Sequence, residues 1–160
     1  MLTAVALASM ILGPGDVESL TAASDAVVRA QVVRRTSAWG QGGGQIFTTV
    51  VLRPLETWKG EGASEITVLV PGGSVGDLSQ TVQGEAVFDS DEEVVVFLHR
   101  RARGVFGVER MGLGKFAVSA QTRRAVRDRS RLECVRCNPS ERDDLSLDEL
   151  RARVLGSVRK

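Results

Sequence analysis

The stretch SDAVVRAQVV, residues 24–33, decides the fold class, because its apolar residues recur with a period of two. Ala26, Val28, Ala30 and Val32 share one face, which is typical of a β-strand with one side in a core. The opposite face mixes apolar and polar side chains. The sequence therefore predicts that this stretch opens the main sheet of the protein.

Further segments with strand character follow, and glycine-rich turns separate most of them. They lie at residues 46–52, 65–70, 92–98, 105–108 and 115–118, with a shorter strand expected near Thr81 and Val82. The continuous apolar run that ends at Leu98 predicts a central strand buried on both faces. No strand–helix–strand alternation occurs, which argues against a parallel α/β sheet. We therefore predict a mainly β fold, an OB-like barrel of five to six strands, with a β-sandwich as the rival.

Two helices flank the predicted sheet. Asp16 can accept a backbone hydrogen bond and cap a short helix over residues 17–23. Ser146 and Glu149 have the spacing of a capping box, which predicts a C-terminal helix over residues 146–158. Leu147, Leu150, Val154 and Val158 fall on one face of that helix, so we expect it to cover the sheet.

The length of 160 residues fits a single domain, which we place at residues 9–160. Residues 2–12 form an apolar run that is too short to span a bilayer. Ala6-Leu7-Ala8 has the small–x–small form of a signal-peptidase site, although no Lys or Arg precedes Arg29. Residues 1–8 are thus interpreted as a signal-peptide remnant, with a buried first strand over residues 8–12 as the alternative. We expect an exported protein, periplasmic or extracellular, without a transmembrane helix.

Charge is unevenly distributed along the chain, although the net charge is only +1. Residues 1–99 hold 5 Lys or Arg and 12 Asp or Glu, whereas residues 100–136 hold 11 and 3. Either the two regions neutralise each other in the fold, or the second forms a basic patch for a polyanion. The arginines of such a patch would be Arg100, Arg101, Arg123, Arg124, Arg127 and Arg129.

The sequence contains no recognisable catalytic or metal-binding set. His99 is the only histidine, and no G-x-S-x-G motif is present. The acidic segment 89–93 lacks EF-hand spacing and is interpreted as a solvated turn. Aromatic residues make up 4% of the chain, too few for the stacking platform on which OB-like barrels bind single strands. We therefore expect no enzyme activity and no cofactor, and nucleic acid is not the favoured partner.

Cys134 and Cys137 form a C-x-x-C pair and are the only cysteines. A zinc site would need two further soft ligands, which one histidine cannot supply. In an exported chain, two cysteines most simply form one local disulfide. Free or intermolecular thiols and a redox or metal role remain alternatives.

Several of these segments, taken together, resemble a netrin-like domain, the fold of the tissue inhibitors of metalloproteinases. The strand at residues 24–33 is similar to their "aDvVirakV" strand, and Trp58-Lys59-Gly60 to the aromatic–Lys–Gly turn that closes their second strand. The resemblance implies an OB-like barrel with flanking helices. The inhibitors chelate zinc through an amino-terminal cysteine, and this chain has no cysteine before Cys134. Inhibition by that route therefore does not carry over.

The chain also resembles a group of small exported bacterial domains. The shared motifs are the strand at 24–32, Thr48-Thr49, the turn at 58–60, PGG at 71–73, residues 91–98 and GKF at 114–116. These domains have no established function. The hypothesis of a non-enzymatic binding domain, with another protein as its partner, is motivated by the fold resemblance and by the missing catalytic sets. Because loops on a rigid scaffold usually carry recognition, the candidate contact residues lie in two loops: Trp39, Gln41, Gly43, Gly72, Gly73 and Ser74.

Overall fold

The computed structural model describes residues 10–12, 14–130, 132–135 and 137–160, with the strands at 10–12 and 133–135 described by backbone alone. The helices are α1 (Val17–Ala23) and α2 (Leu147–Val158), and a short 3-10 helix spans Met111–Gly114. The strands are β1 (Met10–Leu12), β2 (Ala26–Trp39), β3 (Ile46–Lys59), β4 (Ile66–Pro71), β5 (Gly73–Val75), β6 (Leu78–Gln80), β7 (Glu93–Ala102), β8 (Val105–Val108), β9 (Lys115–Val118), β10 (Arg124–Val126), β11 (Glu133–Val135) and β12 (Asp144–Ser146).

Five strands of the main sheet form a ring of hydrogen-bonded neighbours. β2 pairs antiparallel with β7 and β3, and β3 pairs antiparallel with β4. β8 completes the circuit by pairing parallel with β4 and antiparallel with β7. Strands β9, β10 and β12 extend the sheet beyond β7 to eight strands, more than the five to six expected. The prediction of a mainly β protein with a short N-terminal and a C-terminal helix is confirmed.

The sheet separates two apolar clusters, one inside the ring and one under the helices. The inner cluster contains Val28, Val50, Val68 and Val96, with further residues of the same strands. The outer cluster joins the sheet to both helices: Val17, Leu20, Val27, Trp58, Val95, Phe97, Phe116, Val118, Ala125, Leu145, Leu147, Leu150 and Val154. β7 alternates between the clusters and is buried on both faces, as the continuous apolar run at its start predicts.

Both helices begin at the predicted caps. Ser19 N donates to Asp16 Oδ2 at 2.9 Å, and Glu149 N donates to Ser146 Oγ at 3.1 Å. Val158, expected on the buried face of α2, is instead 43% exposed, because it ends the helix beyond the edge of the outer cluster.

A β-bulge in β2 changes which side chains face the inside of the ring. The register with β3 shifts between Val32 and Arg34, so that Arg35 lies opposite Val50 and Ser37 opposite Thr48. Before the shift the even-numbered residues of β2 face inward, and after it the odd-numbered ones do. Arg35 and Ser37 thereby turn toward the inside, which simple alternation would have assigned to the outside.

Two other expectations concern the chain outside the ring. The short strand expected near Thr81 and Val82 lies slightly earlier in the chain: β6 pairs with β5 and ends at Gln80, and Thr81 and Val82 themselves are outside it. Residues 1–8, the predicted signal-peptide remnant, lie outside the described residues, and β1 pairs parallel with β11. In the described part of the chain, neither helix has the length and apolarity needed to cross a membrane.

Candidate functional site

The two loops that carry the predicted contact residues lie side by side, and Gln80 joins them. Its Nε2 donates to Gly44 O at 2.9 Å, while its Oε1 accepts from Ile46 N at 2.6 Å. Gly72 N donates to Ile46 O at 2.7 Å and extends the contact between β3 and β4. The β2–β3 loop and the segment after β4 therefore form one end of the ring.

An open cleft of about 620 Å³, termed here the loop cleft, lies at this end. Its floor is apolar and includes Val50, Val70, Ala86 and Phe88 from the inner cluster. Its walls carry hydroxyl, amide and charged groups. The residues that line it are Arg35, Ser37, Thr48, Val50, Val70, Pro71, Gly72, Gly73, Ser74, Ser79, Gln80, Thr81, Val82, Glu85, Ala86, Val87 and Phe88.

A pair of hydroxyl groups fixes the wall of the loop cleft to the sheet. Thr48 Oγ1 donates to Gly72 O at 2.7 Å and lies 2.9 Å from Ser37 Oγ. Gly73 adopts a φ of 137°, and its backbone lies directly on these two hydroxyls. Because any side chain here would collide with them, glycine is required where β5 crosses the inner face of β2 and β3.

The structure divides the predicted contact residues into two sets. Gly72, Gly73 and Ser74 line the loop cleft, whereas Trp39, Gln41 and Gly43 do not. Trp39 ends β2 with 43% of its surface exposed, and Gln41 and Gly43 lie in the exposed hairpin loop that follows.

Arg35, Gln80 and Glu85 are site residues that sequence reasoning missed. Arg35 Nη1 donates to Phe88 O at 2.5 Å and so links β2 to the segment before β7. A polar residue in a strand pattern predicts a solvent-facing position, and only the bulge before Arg35 reverses that expectation. Gln80 and Glu85 lie in a stretch without apolar periodicity, so no local signal places them.

Glu85 is half-buried between two cavities. It lines the loop cleft and also a neighbouring cavity of about 360 Å³. Burial raises the pKa of its carboxyl above the usual 4.5, and the nearby positive charge of Arg101 opposes this only in part. The loop cleft therefore contains a carboxylate whose charged form is disfavoured by its surroundings.

Replacing Glu85 with glutamine is expected to stabilise the protein at neutral pH, by less than about 1 kcal/mol after solvent screening. The folded-state pKa is raised, so ionisation of Glu85 costs folding free energy at any pH above the usual carboxyl pKa of 4.5. The advantage of the Glu85→Gln variant should accordingly shrink as pH falls to that value. Urea unfolding at pH 7 and pH 4 measures this. A variant that is less stable than the parent at pH 7 would contradict it.

Most arginines of the alternative polyanion patch are engaged with carboxylates. Arg123, Arg124 and Arg129 each lie within 2.8 Å of a carboxylate oxygen, on Glu93, Asp144 and Asp143 respectively. Arg100 lies over the ring of Phe106, and Arg101 is exposed. The six side chains do not share one free surface.

Arg127 is buried, with 2% of its surface exposed. Its Nε donates to Asp143 Oδ1 at 2.9 Å, and its Nη1 donates to Gly15 O at 2.7 Å and to Leu113 O. The guanidinium also lies 4.9 Å from the centre of the Phe116 ring. Burial lowers its pKa, and Asp143 opposes that shift. These contacts indicate that Arg127 stabilises the fold and is not accessible to a polyanion.

The remaining candidate groups lie apart from the loop cleft. His99 Nδ1 lies 3.2 Å from Glu109 Oε2, without an aligned hydrogen bond. Within the acidic segment 89–93, Glu92 and Glu93 form ion pairs with Lys115, Arg29 and Arg123. Among the described residues, no group of three or more His, Cys, Asp or Glu could hold a metal ion.

The predicted bond between Cys134 and Cys137 stays a prediction, because the side chain of Cys134 lies outside the described residues. A β-carbon added at Gly15 would lie 3.2 Å from both Cys137 Sγ and Leu113 Cδ1. Cys137 therefore lies beside the segment that leads into α1.

Comparison of the chain with models of protein families and with curated proteins finds no match.

Proposed function

We propose that this chain is an exported, non-enzymatic binding domain that recognises another protein through its loop end. The loop end comprises the β2–β3 loop, residues 40–45, the loop cleft and the β5–β6 hairpin. The observation that carries the proposal is that Gln80 joins both predicted contact loops beside an open cleft of about 620 Å³.

The fold that we propose is an OB-like barrel of the netrin type. The circuit β2–β3–β4–β8–β7, with β4 and β8 parallel, supports it, because a five-stranded closed or partly open circuit is characteristic of OB folds. The resemblance of residues 24–33 and 58–60 to netrin-like domains points the same way. Loops at one end of such a scaffold are a usual place for recognition.

The loop cleft favours binding over catalysis. Four of its hydroxyl groups bond in pairs, Ser37 with Thr48 and Ser74 with Ser79. His99, the only histidine, does not line it, so no nucleophile is paired with an imidazole base there. An apolar floor with exposed Val87 at its border suits the side chains of a protein segment.

A protein is a better candidate partner than a polyanion. Phosphate binding requires Lys or Arg groups that can neutralise it, and most arginines of the alternative patch already neutralise carboxylates. The excess positive charge of residues 100–136 is accordingly neutralised within the fold: Arg123 pairs with Glu93 of the acidic first part, and Arg124, Arg127 and Arg129 pair with Asp143 or Asp144 of the C-terminal segment.

Photo-cross-linking from the loop end tests the proposal. A photoreactive amino acid at Gln41 or Ser74, both exposed, should form a covalent adduct with a protein in cell-envelope and extracellular fractions of the producing organism. The same group at Gly156, exposed on α2 with nothing within 4 Å of its would-be β-carbon, is the matched control and should form none. Absence of adducts from both loop positions, or equal adducts from all three, would refute the proposal.

A further inference from the structure

The hydrogen-bond pattern of the β2–β3 hairpin defines which backbone groups of β2 point away from β3. Gly40 N donates to Gln45 O. In an antiparallel ladder every second pair of opposite residues is hydrogen-bonded, so the next bonded pair is Ala38 with Phe47. The contacts of Ile46 fit this pattern, because its N–H and C=O bond to Gln80 and Gly72 on the side of β3 away from β2. The backbone groups of Arg35, Ser37 and Trp39 therefore point outward, at the opposite edge of the hairpin.

This edge has no strand partner among the described residues. β7 pairs with β2 only from Ala26 to Gln31, and Val32 N donates to Glu92 O where the chain leaves the ladder. From Arg35 to Trp39 no described segment pairs with the outward groups. Within Arg35–Trp39, Ser37 is half-buried and the other residues are exposed. Such a row of free donors and acceptors is a template for an added strand.

The side chains around the free edge set the chemistry of a strand that would add there. Arg35 and Ser37 face the loop cleft, so residues directly opposite them would also point into it. On the other face, next to Arg35, lies Arg34, which is exposed and has no carboxylate partner among the described residues. One face therefore accepts apolar side chains over the floor of the loop cleft, and the other attracts acidic ones.

We propose that the partner of this domain binds as an extended segment that adds to β2 along Arg35–Trp39. This segment alternates apolar residues, which enter the loop cleft, with acidic residues, which lie on the face of Arg34. The inference rests on the proposed protein-binding function and names the mode and chemistry of the partner. A second copy of the chain fits less well, because it would bring a second unpaired Arg34 to the same edge.

The test uses a capped synthetic peptide of seven residues with glutamate and valine in alternation, and a control peptide with lysine in place of glutamate. The acidic peptide should bind with a Kd below about 1 mM and shift the amide signals of Arg35, Ser37 and Trp39. The lysine peptide should bind the parent protein at least about tenfold more weakly than the acidic peptide does. The acidic peptide should likewise bind the Arg34→Glu variant at least about tenfold more weakly than the parent.

Ser37 offers a matched pair of variants. Ser37→Pro removes the outward N–H without removing a bond to β3, and should weaken binding of the acidic peptide at least about tenfold. Ser37→Ala removes the same hydroxyl, with its contact to Thr48, but keeps the N–H, so it should bind the acidic peptide more tightly than Ser37→Pro does. If Ser37→Pro does not fold, the Arg34→Glu variant and the lysine peptide still decide the question.

Equal binding by Ser37→Pro and Ser37→Ala, or shifts confined to other strands, would overturn the proposal. Dimerisation of the protein alone that Ser37→Pro abolishes would overturn it too, since the occupant would then be a second copy. Protein adducts at Gln41 and Ser74 that persist in Ser37→Pro would reject the added strand and leave the proposed function intact. If the parent protein itself forms no adducts at Gln41 and Ser74, the proposed function is rejected instead.

Discussion

Replacement of Asp143 with alanine is expected to lower the free energy of unfolding by about 3 to 5 kcal/mol, because it leaves a buried guanidinium without its counter-ion. The side chain of Arg127 is fully buried, and Asp143 is the only carboxylate in an ion pair with it in the described part of the chain. The other hydrogen bonds of Arg127, to Gly15 O and Leu113 O, supply no compensating charge. Urea unfolding with linear extrapolation measures the loss.

Two further variants show whether burial is the cause. Asp144 lies next in the chain and pairs with Arg124, but both side chains are largely exposed, so Asp144→Ala should cost less than about 1 kcal/mol. Arg127→Met removes the buried charge itself and should cost less than Asp143→Ala. Equal losses for Asp143→Ala and Asp144→Ala would show that the buried pair contributes nothing special to stability.

Replacement of Gly73 with alanine is expected to cost about 2 to 4 kcal/mol and to abolish binding at the loop end. The new methyl group would collide with Ser37 Oγ and Thr48 Oγ1, and Ser37 Cβ would lie 3.0 Å away. Rotation of the two hydroxyls cannot relieve the close contact with Ser37 Cβ, so the backbone of β5 or of β2 must also shift. The φ of 137° adds backbone strain for any residue with a side chain.

Gly76→Ala is the control for Gly73→Ala. Gly76 also has a positive φ, of 57°, but nothing lies within 4 Å of its would-be β-carbon. Gly76→Ala should therefore cost only the strain of a left-handed residue, about 1 to 2 kcal/mol, and should reduce the cross-links from Gln41 less than Gly73→Ala does. Unfolding curves and cross-linking yields of the two variants provide the comparison. If both variants lose the same stability, the contact of Gly73 with the hydroxyls is not needed.

The features that could be predicted from sequence are those encoded by neighbours along the chain. Asp16 and Ser146 cap their helices through hydrogen bonds to residues three positions away, so the start of each helix could be predicted from the sequence. The apolar run of β7 indicated burial on both faces, and the PGG segment at 71–73 indicated the end of β4, which stops at Pro71. The size of the sheet was underestimated, because β10 and β12 have only three residues each.

The candidate site depended on contacts that local patterns do not encode. Gln80 bonds to residues more than 30 positions earlier, and Arg127 bonds to Gly15 across 112 positions. An arginine-rich segment looks the same in sequence whether its side chains bind phosphates or pair with carboxylates of the same chain. Which of these holds is set by the packing around each guanidinium.

By itself, the sequence determined the strand character of residues 24–33, the two helix caps and the mainly β class, because backbone bonding and side-chain alternation act over a few residues. Only the tertiary structure decided that a bulge after Val32 turns Arg35 and Ser37 toward the loop cleft and that Arg127 is buried. Register and burial arise from strands and loops that are distant in sequence, and a shift of one residue in their pairing exchanges the two faces of a strand.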